Sequence, residues 1–148
     1  MKVKIISALM LVASGYASAA AMENAVHVAE AKASRGGARL ASVDFESDGQ
    51  TSAFQMRITL PADAKKIDLS ACLSELPKSF TGICKAYGNK VAITVYSANN
   101  SALEAGLASV GKISFVSRET TGLAVDKVSA THRDGNSAVT RTEKVAEI

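Results

Sequence analysis

Apolar and polar residues alternate along several short stretches of the chain. From Ala41 to Glu46 every second residue is apolar, and the same pattern runs from Phe54 to Leu60. A period of two is typical of a β-strand with one buried face and one wet face. Pro61 ends the second stretch, because proline cannot donate to a strand ladder. These stretches predict two strands, and Asp48-Gly49 between them predicts a hairpin turn.

The second half of the chain repeats this pattern. Gly88-Asn89 predicts a turn into a strand over Lys90 to Ser97, and a further strand follows the loop from Asn99 to Leu107. In that later strand, Gly111 indicates a bulge where the alternation slips by one residue. We predict that the apolar residues of these two strands lie in the core: Val91, Ile93, Val95, Ile113 and Phe115.

The pattern is weaker elsewhere. Leu123 to Ala130 predicts one bent strand or two short ones, and a turn at Asp134-Gly135-Asn136 leads to a charged final strand over Ala138 to Val145. Between Ala62 and Ala86, the apolar spacing of Leu69 to Leu76 fits a short helix or helical turn, and it fits an irregular crossover loop tied down by the disulfide equally well. About seven to nine short strands with at most one short helix predict an all-β fold, an antiparallel β-sandwich of the jelly-roll type.

The first 21 residues have the organisation of a secretory signal peptide. A basic start precedes the apolar run Ile5 to Tyr16, and Ala17 to Ala21 offers cleavage after Ala19 or Ala21. The apolar run is shorter than the roughly 20 residues that span a bilayer, so we expect no stable membrane insertion after cleavage. The short, Ala-rich signal looks bacterial, so we expect a periplasmic or secreted protein.

Residues 22 to 37 carry no sustained apolar stripe and end in Ser34-Arg35-Gly36-Gly37. We expect a flexible leader or a loose edge segment there, followed by one domain over residues 38 to 148.

Cys72 and Cys84 are the two cysteines of the sequence. An even pair in an exported chain predicts a disulfide, with two free buried thiols as the alternative. Their spacing fits neither a redox motif nor a zinc site.

Charge and motifs exclude several classes of function. Lys2 and Lys4, in the predicted signal, are two of the 17 basic residues, and 14 residues are acidic, so the mature chain is nearly neutral. Without a cluster of lysines and arginines, nucleic acid is not an expected partner. Nucleophile-elbow, metalloprotease, phosphate-loop and EF-hand motifs are also absent from the sequence.

The titratable residues do not form a recognisable catalytic or metal set. His27 and His132 hold a metal only if both converge with carboxylates, which we do not expect. Asp44, Glu46 and Asp48 are predicted on a solvated strand face and turn rather than as a paired-carboxylate site. We predict no catalytic site, no metal and no cofactor.

Four stretches together resemble cohesin domains: Ala53 to Pro61, Gly88 to Ser97, Ala105-Gly106 with the strand that follows, and Val128 to Asn136. More broadly, they are similar to the jelly-roll superfamily of cohesins and carbohydrate-binding modules, over roughly residues 38 to 148. The resemblance implies an exported, non-catalytic binding module. Cohesins bind dockerins through one sheet face, whereas relatives bind polysaccharides on rows of aromatic rings. The Cys72 to Cys84 loop departs from the usual cohesin pattern.

Aromatic content favours the protein-binding mode. The sequence has no tryptophan, Tyr87 and Tyr96 are the tyrosines of the mature chain, and three phenylalanines alternate inward: Phe45, Phe54 and Phe115. A flat aromatic platform for sugars is therefore disfavoured. The leading hypothesis is an exported cohesin-like module that binds a dockerin-like protein partner or helps assemble a scaffold or surface complex. Its candidate binding residues are Tyr96, Ser97, Asn99 and Asn100.

Two alternatives stay open. The chain could be a carbohydrate-binding module that recognises polysaccharide through a site built from loops. It could also be a small secreted hydrolase on a jelly-roll frame, although no acid and base pair is visible.

Overall fold

The computed structural model describes residues 23–32, 36–119 and 122–147. Ten β-strands lie in these ranges: β1 (Asn24–Lys32), β2 (Ala38–Ser47), β3 (Thr51–Thr59), β4 (Lys65–Asp68), β5 (Phe80–Tyr87), β6 (Lys90–Ser97), β7 (Gly106–Val116), β8 (Ala124–His132), β9 (Ser137–Ala138) and β10 (Thr140–Glu147). Within the described ranges there is no helix of the length and apolar character needed to cross a membrane. The predicted signal peptide lies outside the described residues.

The strands form two five-stranded sheets that pack face to face. The order in the first sheet is β10-β1-β2-β7-β4, and in the second sheet it is β5-β6-β3-β8-β9. All neighbouring strands are antiparallel except β1 and β10, which are parallel. The predicted all-β sandwich is confirmed. It has more strands than predicted, because β1, β4, β5 and β9 carry no clear alternation.

The core lies between the sheets and contains the residues that the alternation pointed inward. Phe45 on β2 and Phe54 on β3 stack their rings across the sandwich, with centroids 4.1 Å apart and planes inclined by 10°. The five core residues predicted for β6 and β7 are all buried: Val91, Ile93, Val95, Ile113 and Phe115.

The predicted hairpin at Asp48-Gly49 is wrong. The chain does reverse there, and Gly49 has a φ of +89°. However, β2 belongs to the first sheet and β3 to the second, so the turn is a corner between sheets. Local turn chemistry specifies that the chain reverses direction, but it does not specify which strands then pair.

The predicted bulge at Gly111 is confirmed. Val43 on β2 faces Gly111 on β7, while Asp44 faces Ser109, which leaves Val110 as the extra residue. A Cβ atom on Gly111 would lie 2.1 Å from the carbonyl oxygen of Cys72. Only glycine therefore allows the chain around Cys72 to cross β7 this closely.

The segment from Asn24 to Lys32 is a strand inside the first sheet, neither the flexible leader nor the loose edge segment that we expected. β1 pairs with both β2 and β10, and it buries Val26, Val28 and Glu30. The Glu30 carboxylate forms an ion pair with Arg39, whose guanidinium lies 5.4 Å from the ring centroid of Phe115. This strand was not recognised from the sequence, because the charged Glu30 stands at an inward position of the alternation. A charge is tolerated there because Arg39 pairs with it.

The region between Pro61 and β5 contains β4 and a series of turns, so it is a crossover loop without a helix. Single helical turns do occur in it, since the Cys72 N–H donates to the Leu69 carbonyl (3.0 Å) and the Leu76 N–H to the Leu73 carbonyl (3.3 Å). The Lys112 N–H donates to the Ala71 carbonyl (2.9 Å) and the Glu75 N–H to the Val110 carbonyl (3.1 Å), which attaches the loop to β7. Cys72 and Cys84 form the predicted disulfide, with their Cα atoms 6.5 Å apart. Because Cys84 lies on β5, the loop bridges the two sheets.

The strands predicted after residue 122 are present, and the last of them is divided in two. β8 is a single bent strand, with Lys127 at a φ of +54° where its register with β3 shifts. The predicted final strand is divided, since β9 pairs with β8 in the second sheet while β10 pairs with β1 in the first.

The corner between β2 and β3 is held by polar contacts. Asp48 accepts a hydrogen bond from the Gln50 N–H (2.9 Å), and its other carboxylate oxygen lies 2.6 Å from Nε2 of His132. The Asn24 Oδ1 accepts hydrogen bonds from the Asp48 N–H and the Thr51 hydroxyl, both at 2.9 Å. Burial by itself raises the pKa of Asp48, but the hydrogen bonds and the charge of His132 outweigh it and lower that pKa below its ordinary value.

We predict that the double substitution Cys72→Ala/Cys84→Ala lowers the free energy of unfolding by roughly 3 kcal/mol, because the unfolded chain regains the freedom of the closed loop. Urea titration followed by circular dichroism measures the change. Reductant should destabilise the wild-type protein by a similar amount and leave the double variant unaffected. Equal unfolding midpoints of the wild-type protein with and without reductant would contradict the prediction.

We also predict that Asp48→Asn removes part of the acid sensitivity of folding. Because the folded pKa of Asp48 is lowered, its stabilisation is present above the ordinary carboxylate pKa and is lost as the pH falls through the lowered value. Near neutral pH the variant should be about 1–3 kcal/mol less stable than the wild type, and this gap should close in acid.

Urea titrations at a series of pH values test this, with Asp44→Asn on the outside of β2 as a control of equal charge change. If Asp48→Asn and the wild-type protein keep the same stability difference at every pH, the assignment to Asp48 is wrong.

Candidate functional site

The second sheet turns the outward sides of β5, β6, β3 and β8 to solvent, and we call this surface the outer face. Its position follows from alternation, because the inward residues of β6 leave Ala92, Thr94 and Tyr96 pointing outward. The register of the four strands places the outward residues in rows that run across the sheet. Three of these rows are Thr81-Tyr96-Ala53-Thr131, Ile83-Thr94-Gln55-Ser129 and Lys85-Ala92-Arg57-Asp126.

The outer face carries three exposed apolar or aromatic side chains. Ile83 is 61% exposed, Tyr87 57% and Tyr96 44%, and they lie on the neighbouring strands β5 and β6. Ile83 and Tyr96 lie on adjacent rows of the sheet, and Tyr87 lies two rows beyond Ile83. Neighbouring exposed apolar and aromatic side chains on a flat sheet are a feature of surfaces that meet a partner. This grouping marks the outer face as a candidate interface.

Next to Tyr96 the outer face has a shallow depression of about 210 Å³. Its outward lining is made of small and medium side chains: Ala53, Gln55, Thr94, Ser129 and Thr131. The volume is below the roughly 300–1,000 Å³ of most small-molecule pockets. A depression of this size and polarity suits one side chain of a protein partner.

Charged groups border the apolar positions. Arg57 donates to Asp126 through Nε (2.9 Å) and Nη2 (2.7 Å), so that the two side chains form a bidentate pair across β3 and β8. The hydrogen bonds from Arg57 lower the pKa of Asp126, and its positive charge acts in the same direction. On β5, the Lys85 ammonium lies 5.4 Å from the ring centroid of Tyr87. An apolar centre with a charged border is the usual composition of a protein interface.

Of the candidate residues named from the sequence, Tyr96 lies on the outer face. Ser97 and Asn99 shape the loop that follows β6, since the Ser97 hydroxyl oxygen accepts from the Ser101 N–H (2.7 Å) and the Asn99 N–H (3.2 Å). Asn100, with a φ of +60°, lines a different depression of about 330 Å³ beside His132. The structure therefore separates Tyr96 from the other three residues.

Sequence reasoning missed the contribution of β5. Ile83 and Tyr87 stand in a stretch where the alternation is interrupted by Gly82 and Cys84, so no strand was predicted there. The Gly88-Asn89 turn could have predicted β5, because a two-residue hairpin turn has a strand on each side.

The acidic and histidine residues do not assemble a catalytic or metal site. Glu46 lies 2.9 Å from His27, and Asp48 pairs with His132 instead. Over the ranges that the structure describes, no group of three or more metal-ligating side chains is placed to hold an ion. Asp44 and Glu46 lie on the outside of β2 as predicted, whereas the Asp48 side chain is only 14% exposed, because it is folded into the corner rather than solvated.

Known proteins are similar to this chain in structure rather than in sequence. No family model matches the sequence, and no curated protein matches it significantly. A non-cellulosomal cohesin from the archaeon Archaeoglobus fulgidus is similar in structure, with a TM-score of 0.62 at 15% identity over 84% of this chain and 88% of that chain. The seventh ScaB type I cohesin of Pseudobacteroides cellulosolvens has a TM-score of 0.59 at 15% identity, over 85% and 92% of the two chains.

A third similar structure shows a cohesin together with its partner. The sixth cohesin of scaffoldin B from Acetivibrio cellulolyticus, solved in complex with a dockerin, has a TM-score of 0.61 at 9% identity, over 84% of this chain and 97% of that chain. These identities are too low to transfer residue roles, but the agreement covers nearly the whole of each module. The chain therefore has the fold of cohesin modules, as the sequence resemblance implied.

Proposed function

We propose that this protein is a non-catalytic binding module that docks a dockerin-like protein on its outer face. The observation that carries the proposal is the exposed Tyr96 beside the shallow depression, on one sheet of a cohesin fold. Cohesins of this fold that were solved with dockerins support the class of partner.

The physical character of the outer face suits a protein partner. Its backbone is held by hydrogen bonds to neighbouring strands, so little conformational freedom is lost when a partner binds. Tyrosine at the centre of an interface contributes a large contact area and one hydroxyl, and it is enriched among residues that dominate binding energy. Tyr96, beside the shallow depression, is the best placed residue for this role.

A carbohydrate-binding module is the second candidate, because the two exposed tyrosines lie on the same face. Tyr87 is paired with Lys90 and Tyr96 with Thr81, so the tyrosines stand three rows apart, about 20 Å at the rise of a strand. Rings at this separation do not form a continuous platform for a sugar chain. Protein binding is the better supported function.

We also place the protein outside the cytoplasm, in the periplasm or beyond the cell. The disulfide between Cys72 and Cys84 supports this location, since such bonds form and persist in oxidising compartments.

We predict that Tyr96→Ala weakens partner binding about tenfold or more, the effect typical of a central interface tyrosine. The immobilised mature protein is incubated with secreted proteins of the same cell, and captured proteins with a dockerin module are identified by mass spectrometry. Calorimetry with the captured protein then compares the variants. Because Tyr96 is exposed, the melting temperature should not change.

Leu107→Ala is the matched control, because Leu107 is 64% exposed on β7 of the first sheet. It should bind like the wild-type protein. Unchanged affinity of Tyr96→Ala would remove the outer face from the proposal, and binding to a polysaccharide panel without any dockerin capture would favour the glycan reading.

A further inference from the structure

The four edges of the two sheets differ in how they are protected from pairing with other strands. β4 has four residues, two of them lysines, and β9 has two residues. β10 is long, but its sequence carries charges at half of its positions. Short and charged edge strands resist addition of a further strand.

β5 is the least protected of the four edges. It spans eight residues without a proline, and Lys85 is its single charge. Its outward residues Ile83 and Tyr87 are exposed and apolar or aromatic. Among the described strands, β5 is therefore the edge best suited to accept another strand.

The hairpin between β5 and β6 determines which backbone groups of β5 are available. Gly88-Asn89 forms a two-residue turn closed by the pair Tyr87 and Lys90, with Gly88 at a φ of +60°. In such hairpins the closing pair exchanges both hydrogen bonds, and every second pair does the same. Tyr87, Lys85, Ile83 and Thr81 thus direct their backbone groups to β6.

The backbone N–H and C=O groups of Gly82, Cys84 and Ala86 point away from β6. In the part of the chain that the structure describes, β5 has no strand partner besides β6, and the backbone bond at its outer side is that of the Phe80 N–H to the Pro77 carbonyl (3.0 Å). A row of strand donors and acceptors is thus presented at the middle of β5.

We propose that β5 pairs antiparallel with β5 of a second copy of this chain, with the two-fold axis at Ile83. In this register Gly82 and Cys84 of one copy exchange hydrogen bonds with Cys84 and Gly82 of the other. Ile83 then faces Ile83 in a pair without mutual backbone bonds, where side chains approach most closely. The exposed isoleucine is covered by its own copy.

The charge pattern of β5 favours a second copy of this chain as its pairing partner. The single charged residue of the strand, Lys85, lies opposite Thr81 of the second copy, so no like charges meet across the axis. A strand of another protein would need a sequence complementary to β5. The sequence of β5 is already complementary to a second β5 in this register. A two-fold dimer is also the commonest closed assembly of identical chains. Because Cys84 is tied to Cys72, the centre of β5 is already ordered, and little freedom is lost on pairing.

The dimer goes beyond the proposed function. It joins the two second sheets into one continuous sheet and sets two outer faces side by side, so that two partners can bind on the same surface. Pairing uses backbone groups at the edge of β5 and covers one side of Ile83, whereas Tyr96 and the depression beside it stay open.

Sedimentation velocity of the mature protein between about 1 and 500 µM tests the dimer, which we expect to form as the concentration rises. Ala86→Pro removes one outward N–H from each copy without touching the bonds to β6, because proline is tolerated where the N–H of an edge strand faces solvent. This variant should keep its melting temperature and raise the dimer dissociation constant about tenfold or more.

Lys85→Pro is the matched control, since it removes an N–H that donates to β6 and should lower the melting temperature of the monomer. A wild-type protein that stays monomeric at the highest concentration would overturn the proposal. So would an Ala86→Pro variant that keeps its melting temperature and dimerises as strongly as the wild type.

The register has its own test. Ile83→Cys should give a covalent dimer in air, because the two sulfurs meet at the axis, whereas Thr81→Cys should not, because its copies lie far apart. Equal crosslinking of both variants would overturn the register. Ala86→Pro should also keep dockerin capture, and Tyr96→Ala should keep the dimer, so failure of one proposal is distinguishable from failure of the other.

Discussion

The stacking of Phe45 on Phe54 is the contact on which the arrangement of the sheets depends. One ring comes from each sheet, and the two residues flank the corner at which the chain first crosses from one sheet to the other. Because the rings are in direct contact, they set the separation of the sheets at that end of the core. The other inward side chains of β2, β3, β6 and β7 then fill the space between the sheets at this separation.

Polar contacts complete the ends of the sandwich where apolar packing stops. At one end of β1, Asn24 is buried against the Asp48 corner, and toward the other end Glu30 is buried against Arg39. Each contact joins β1 to a part of the chain that lies next to the core. β1 is thus held at both ends by polar groups that would be costly to leave unpaired, and between them by Val26 and Val28.

The function proposed for the protein rests on the same alternation that builds its core. Each strand of the second sheet gives one side to the interior and the other to solvent, so the packing that buries Val95 also directs Tyr96 outward. The disulfide adds a second constraint, because it fixes β5 at the edge of that sheet. A rigid face and an ordered edge therefore belong to one sheet, and the two proposed contacts use different parts of it.

The sequence by itself determined the local properties of the chain. Alternation identified β2, β3, β6 and β7 with their buried residues, Gly111 marked the bulge, and the even pair of cysteines indicated the disulfide. The resemblance to cohesins led to the correct fold, and alternation alone placed Tyr96 on the outside. Each of these properties depends on neighbouring residues, whose spacing is visible in the sequence.

Tertiary structure decided which strands meet. β1 is stabilised by β10, more than a hundred residues away, and by an ion pair whose two members lie on different strands. Three further properties depend on residues distant in the sequence. They are the assignment of β2 and β3 to opposite sheets, the low exposure of the Asp48 side chain and the exposure of Ile83 on an edge strand. A residue pattern with a period of two reports which side of a strand is buried, but the free energy that selects its neighbour comes from contacts across the whole fold.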